Sequence, residues 1–387
     1  MIPRTKVNYH LSDLLQAFFI SESGKDYRKY LVSLLRNYLQ EENILLTPSG
    51  RAGLYFILKA IDSPRILIPA YTCKAVAEAA ILAGKEVTCV DVEEDGFNMS
   101  ISALESVLDD GDIVIATHQF GIPCQIEKIL VLCDQKQAFV IEDVAASLGS
   151  RVRGKLTGTF GDAAFYSFDS TKLVNVPMKG GFLHVKNPAL FERIQRIYAE
   201  EIRAMPAQEK IKLLAKGGVL WLLENPWLYK LFHTLFFEAR GKFTEDTPAL
   251  NQKKTEFYRY DLANWQAYIA VVQVAKIEEI IQVRQYQYAE YMTKLADCLA
   301  FKLPPEDEAA EWACIRFPIR VRGEKISYYQ RAVKRGLDFA FSFTYIPCPD
   351  SFRNAKLLAE SVLDIPFYLK LSDQEFKGVV DVLRKME

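Results

Sequence analysis

Between residues 65 and 141, short apolar runs alternate with helical stretches, and no other feature of the chain constrains its fold as strongly. Residues 65–69, 86–92, 113–117 and 138–141 read as strands, with residues 74–83, 102–108 and 126–135 as the helices between them. One helix between successive strands demands right-handed βαβ crossovers, hence an α/β fold with a mostly parallel sheet flanked by helices. Polar residues gather where the strands stop: Tyr71-Thr72, His118-Gln119 and Glu142-Asp143. Ligands bind at that edge of such sheets.

The sharpest chemical signal lies just downstream. An apolar run ends in Glu142-Asp143, as a buried parallel strand ends at an active-site edge. Two further β-prone runs, residues 163–168 and 182–185, flank a loop that carries Lys172 close to Ser167, Ser170 and Thr171. A lysine held there is partly desolvated, which lowers its pKa and frees the amine for Schiff-base chemistry. Alone, a Ser-x-x-x-x-Lys loop is an ordinary surface feature. With an aspartate at a strand end about thirty residues upstream, it suits a pyridoxal phosphate site, the carboxylate holding the pyridinium proton and the lysine forming the Schiff base. The turn Thr47-Pro48-Ser49-Gly50-Arg51 opens a helix and offers unpaired N–H groups to an anion, although taken alone a plain N-cap by Ser49 is the better explanation. Gly154, Gly158 and Gly161 lack the G-x-G-x-x-G spacing, and no Walker A sequence occurs, which disfavours a nicotinamide or ATP enzyme.

The formal net charge of -1 over 387 residues gives no electrostatic footprint for nucleic acid. Seven scattered cysteines form no C-x-x-C pair, so neither a zinc site nor a disulfide framework is expected, and a cytoplasmic setting fits best. The opening Met1-Ile2-Pro3-Arg4 shows no signal-peptide hydrophobic region. From residue 188 the chain turns helical, first to about residue 203, then through the aromatic-rich stretch 217–240. Its most apolar part, residues 217–237, is broken by Glu224, Pro226 and Lys230 and is no membrane span. It reads as interface or core, with a membrane or partner-enzyme contact as the alternative. One long helix is expected over residues 262–299, and residues 312–321, 339–345 and 374–385 read as a small α+β unit.

The ordered set Ser49-Gly50, Pro69-Ala70-Tyr71-Thr72, His118-x-x-Gly121, Glu142-Asp143-x-Ala145, Ser167-Phe168-x-x-x-Lys172 and Gly180-Gly181 resembles the DegT/DnrJ/EryC1/StrS family. The likeness continues through Gln266-Ala267, Leu363-x-Ile365-Pro366 and Leu371-Ser372, and so covers nearly the whole chain. It implies a fold-type-I, pyridoxal-5′-phosphate-dependent sugar aminotransferase. A large cofactor-binding domain would span residues 1–250; the long helix and small α+β domain would span 251–387. By the same resemblance Lys172 is the Schiff-base lysine and Asp143 the pyridinium partner. Ser167 and the amides around Gly50 and Arg51 hold the phosphate. His118 lies near cofactor or substrate, with Tyr71 and Tyr345 as further substrate contacts.

Several positions depart from the family pattern. Arg51 replaces a threonine, yet could bind phosphate bidentately. Ala146 stands where a glutamine approaches the cofactor's phenolic oxygen. Cys73 replaces the ring-stacking aromatic, for which Tyr71 is a candidate substitute. Arg259 replaces a partner-subunit asparagine and could reach the phosphate across a homodimer interface. The expected reaction transfers an amino group from an amino acid such as glutamate to a keto-sugar, nucleotide-linked. Keto-inositols remain an open alternative acceptor, and a non-catalytic sensor or scaffold is the alternative that Cys73 and Ala146 keep open. Dehydrating relatives carry histidine at the lysine position, so Lys172 argues against that route.

Overall fold

The computed structural model describes residues 1–22, 24–238, 250–251, 253–305, 309–344, 347 and 352–386. Two amphipathic helices, α1 (Leu11–Phe19) and α2 (Tyr27–Leu39), lead into β1 (Ile44–Thr47) and the almost wholly buried α3 (Gly50–Lys59). The βαβ run follows: β2 (Arg65–Pro69), α4 (Lys74–Leu82), β3 (Glu86–Val90), α5 (Ile101–Glu105), β4 (Ile113–Thr117), α6 (Ile126–Gln135) and β5 (Phe139–Asp143). A short hairpin, β6 (Arg151–Val152) and β7 (Lys155–Leu156), precedes β8 (Ala163–Ser167) and β9 (Gly181–Val185). Seven strands form the central sheet in the order β1-β9-β8-β5-β4-β2-β3. The pairs from β3 to β8 are parallel, and β9 runs antiparallel to both β8 and β1.

Register decides where chemistry can sit. Thr117 lies beside Asp143, Asp143 beside Phe165, and Gly181 beside both Ser167 and Thr47. The carboxyl ends of β1, β4, β5 and β8 and the start of β9 therefore meet at one edge of the sheet. Helix α3 begins there, capped by Ser49, whose Oγ accepts from the Ala52 N–H at 3.2 Å.

After β9 the chain is helical: α7 (Pro188–Glu201), α8 (Ala207–Leu222) and α9 (Pro226–His233). The stretch expected as one helix over 217–240 is broken before Pro226, where Asn225 caps the new helix through its side chain. The expected long helix is also two, α10 (Asn264–Val274) and α11 (Ile277–Leu295), although no Pro or Gly marks the break. Near the break the Gln273 amide donates to the carbonyls of Asn175 and Ile269, tying α10 to the Lys172 loop. Helix α10 is apolar nearly all round because it packs within the same core as Leu31, Leu35 and Phe168, so that core runs across residue 250.

The C-terminal unit holds β10 (Phe301–Lys302), β11 (Ala310–Glu311), β12 (Phe317–Val321), α12 (Lys325–Lys334), α13 (Arg353–Ser361), β13 (Val362–Ile365) and α14 (Asp373–Arg384). Strands β10, β12 and β13 form an antiparallel sheet, and β11 joins the β6–β7 hairpin. Residues 339–344, expected within this unit, contribute only an isolated bridge from Ala340 to Asp364. Cys73, Cys124, Cys133, Cys298 and Cys314 are free thiols, whereas Cys89 is disulfide-bonded, which the cysteine spacing did not indicate. No helix among the described residues is long and apolar enough to cross a membrane.

Candidate active site

A cavity of about 260 Å³ opens at the sheet edge where the strand ends converge. Asp143 ends β5 and is 6% exposed; its Oδ1 accepts from the Ala145 N–H at 3.0 Å. Burial raises its pKa, while that hydrogen bond and the charge of Lys172 draw it back. Lys172 lies in the loop between β8 and β9, fixed by its own N–H to the Asp169 carbonyl and its carbonyl to the Asn175 side chain. Burial pushes the Lys172 amine below its ordinary range, and the Arg316 charge pushes it further. Asp169, Cys73 and Asp143 oppose that shift without cancelling it. A lysine shifted toward its neutral form and an aspartate thus line one cavity.

The close approach of three backbones shapes the other end. A Cβ on Gly181 would stand 2.4 Å from the Tyr166 carbonyl and 2.8 Å from the Gly50 nitrogen. A Cβ on Gly50 would press on Ser167 and Tyr166 at 3.1 Å. Only glycine lets β9, β8 and the start of α3 come this near. Gln266 fastens the arrangement, its amide donating to the Lys179 carbonyl at 2.8 Å.

Not every expected residue arrives at the cavity. Ser49, Gly50, Arg51, Cys73, Asp143, Ala146, Ser167 and Lys172 do line it. His118 does not. It is fully buried behind the strand ends, where Nδ1 accepts from the Cys124 N–H at 3.1 Å and Nε2 therefore donates to Glu142 at 3.0 Å. Glu142 also accepts from the N–H groups of Gly158, Phe160 and Gly161, each at 2.7 Å, so this pair pins a turn rather than facing a ligand. Tyr71 is likewise no wall residue. Its hydroxyl donates to the Ser342 carbonyl at 3.1 Å, and its ring packs on Phe120 and Phe343, so it cannot stand in for the missing stacking ring. The rings that reach the cavity include Phe120, Phe257 and Phe343.

Arg51 is already engaged. Its guanidinium lies 3.6 Å from Glu78 and over the Phe257 ring at 4.5 Å. Arg259 is exposed and away from the cavity, and Tyr345 lies outside the described residues. Two cationic wall residues went unseen in the sequence. Lys179, 2% exposed, lies 3.5 Å from Glu209; its place beside Gly180-Gly181 was the one available hint. Arg316, just before β12, carried no local signal at all.

Residues 4–384 match the sequence model of the DegT/DnrJ/EryC1/StrS aminotransferase family. The chain belongs to this family. An uncharacterized protein of Methanocaldococcus jannaschii is 23% identical over 380 residues, covering 91% of this chain and 88% of its own. GDP-perosamine synthase of Escherichia coli O157:H7 is 27% identical over 196 residues; that match spans 49% of this chain and only 52% of the synthase. A sugar aminotransferase of Micromonospora echinospora has the same fold, with a TM-score of 0.75 over 100% of both chains at 18% identity.

Aminotransferases of the DegT/DnrJ/EryC1/StrS family use pyridoxal 5′-phosphate, and the cavity suits that group on its own terms. Thr72 and Thr117 both line it with buried hydroxyl oxygens that find no hydrogen-bond partner among the described residues. Buried polar atoms left so are costly unless a ligand completes them. The lysine amine, the buried carboxylate and the glycine-built cradle add the remaining groups that an aldehyde, a ring nitrogen and a phosphate require.

Proposed function

We propose that this aminotransferase moves an amino group from an amino-acid donor, glutamate in the first instance, to a keto-sugar carried on a nucleotide. The observation that carries the proposal is the meeting of Lys172 and Asp143, 29 positions apart in sequence, in one cavity that holds the lysine amine toward its neutral form. When bound, pyridoxal 5′-phosphate supplies an aldehyde for amines and a ring that takes up an electron pair. Lys172 would bind that aldehyde and, once displaced by the donor, its Nζ would accept the proton from the donor's α-carbon. In the second half it would return a proton to the acceptor carbon. Asp143 would keep a proton on the ring nitrogen. Ser167, the first amides of α3 and the hydroxyl of Ser49 would hold the phosphate, with Arg51 available once it leaves Glu78. Thr72 and Thr117 would supply the remaining polar contacts.

The sugar class rests on the names of relatives: a GDP-perosamine synthase, and a UDP-N-acetyl-3-dehydro-α-D-glucosamine 3-aminotransferase of Acidithiobacillus ferrooxidans, 27% identical over 151 residues. Their nucleotides differ, so the proposal stops at a nucleotide-linked keto-sugar. A homodimer with shared sites is part of it, Arg259 being exposed and free to meet a second subunit. The test is the absorption spectrum of the purified protein with pyridoxal 5′-phosphate, before and after L-glutamate. A lysine-bound cofactor band that glutamate discharges, and that Lys172→Ala lacks while remaining folded, supports it. Appreciable turnover by Lys172→Ala, or no band in the wild type, overturns it, and the latter makes the scaffold reading the better one.

A further inference from the structure

We infer that Arg316 is the seat for the α-carboxylate of the amino donor, and so sets donor specificity; this rests on the aminotransfer reading above. Arg316 comes from the C-terminal unit and lines the cavity that Lys172 and Asp143 line from the central sheet. Its place is fixed from two sides. The Ile315 N–H donates to the Phe120 carbonyl at 3.0 Å, seating this segment on the cavity rim. Nη1 donates to Asp364 at 2.7 Å and to the Ser342 hydroxyl at 2.8 Å. Ser342 also donates to Asp364, and Asp364 is held by paired backbone bonds to Ala340 at 2.9 Å. Asp364 is only 3% exposed, whereas the Arg316 side chain is 29% exposed, so the cation and not its counter-ion faces the open space. A guanidinium has five N–H donors in a planar fork, and one nitrogen is occupied by these bonds.

Position relative to Lys172 selects the ligand. After burial, Arg316 is the strongest influence on the Lys172 amine. Both side chains line the same cavity of about 260 Å³, so the Arg316 charge lies close to where a donor amine must react. In an α-amino acid the carboxylate sits on the very carbon that bears the amine, so an anion is delivered to that spot. A nucleotide-linked keto-sugar carries its phosphates on the anomeric carbon and not on the carbonyl carbon, so the reacting carbon itself bears no anion. Asp364 and Ser342 explain how one cavity serves both substrates: they keep the guanidinium paired while the uncharged sugar carbon occupies the place of the carboxylate.

The test uses the full chain loaded with pyridoxal 5′-phosphate and separates the two half-reactions. In Arg316→Gln the cofactor band is expected to form, its onset moved to higher pH because the Arg316 charge no longer lowers the Lys172 pKa, so both half-reactions are compared at a pH where the band is complete in each protein. KM for L-glutamate in the donor half should rise on the order of 100-fold, the loss expected for a buried charge-assisted pair. The acceptor half, run from the aminated cofactor with the keto-sugar, should change less than about threefold. Succinate, which has carboxylates and no amine to react, should bind the loaded wild type and lose at least about tenfold in affinity in the variant by calorimetry. Arg316→Lys keeps the charge without the fork and should fall between; it replaces the glutamine variant if that one does not fold. An unchanged KM for glutamate together with unchanged succinate binding overturns the inference, as does an equal loss in both halves. If the wild type itself accepts no amine from glutamate, it is the aminotransfer reading that fails, and succinate binding still reports on Arg316.

Discussion

Replacing Gly181 by alanine tests whether the cofactor cradle depends on the close approach of three backbones. The new methyl would stand 2.4 Å from the Tyr166 carbonyl, 2.8 Å from the Gly50 nitrogen and 2.9 Å from the Ser49 carbonyl carbon. Reaching ordinary contact needs about 1 Å of separation, and every neighbour is main chain that cannot rotate aside. Overpacking of this kind costs about 1–3 kcal/mol, and pairing with both Thr47 and Ser167 puts this site near 3. The movement falls on Ser49 and Gly50, so affinity for pyridoxal 5′-phosphate should drop at least about tenfold, or about 1.4 kcal/mol. Gly180→Ala is the near control, since its closest obstacles are the Leu262 and Val176 side chains, which can yield. Gly218→Ala is the far control: nothing lies within 4 Å of its Cβ, and an alanine inside α8 should stabilise by about 0.5–1 kcal/mol. Urea unfolding gives the stabilities and a cofactor titration gives the affinities. Should Gly181→Ala unfold at the wild-type midpoint and bind cofactor equally well, the cradle argument is wrong.

Three further outcomes follow from buried groups. Asp338, fully buried, accepts from Arg4, Tyr229 and Tyr329; burial opposes its charge, but Arg4 and its hydrogen bonds win and hold the carboxyl at about 2. Because the folded pKa is depressed, this stability is full above the unfolded value near 3.8 and is lost as pH falls toward 2. Urea unfolding should show the wild type losing about 2 kcal/mol more than Asp338→Asn over that window, the other depressed carboxylates such as Glu142 and Glu375 titrating alike in both. Cys73 is half-buried in the cavity wall while Cys124, Cys133, Cys298 and Cys314 are buried, so iodoacetamide should label Cys73 first among these five, and saturating pyridoxal 5′-phosphate should slow that labelling severalfold by mass spectrometry. Glu142→Gln turns its NH2 either toward the N–H groups of Phe160 and Gly161 or toward those of Gly158 and His118, and should cost about 3 kcal/mol in unfolding, with cofactor affinity changed far less; an equal loss of both would place the His118–Glu142 pair in the site after all.

The parts of this molecule that showed in the sequence are those whose causes lie close together along the chain. Residues 65–69 and 113–117 were readable as strands because burial on both faces demands an uninterrupted apolar run, and both match β2 and β4. Asp143 and Lys172 were readable because a carboxylate at a strand end and a lysine in a tight loop each have a local signature. Tyr71 and His118 misled for the same reason. Each stands at a strand end, yet which way its side chain turns is settled by Ser342 in one case and by Glu142 and Cys124 in the other. The break before α11 left no mark, since it depends on tertiary contacts such as those of Gln273 with Asn175.

Arg316 shows the limit most clearly. In sequence it is one basic residue ahead of a strand, indistinguishable from Arg320 or Arg322 a few positions on. Its chemistry exists only because Ile315 docks on Phe120, whose backbone takes a positive φ of 62° beside Gly121. Gly121, at φ 105°, would bring any Cβ to 2.5 Å from the Cα of Cys314. The glycine of the His118-x-x-Gly121 motif therefore serves the contact between the two units, and through it the placement of Arg316 in the cavity wall it shares with Lys172. A side chain at position 121 would push the Cys314–Arg316 segment off the rim. It would be expected to weaken donor binding before it touched the lysine or the aspartate.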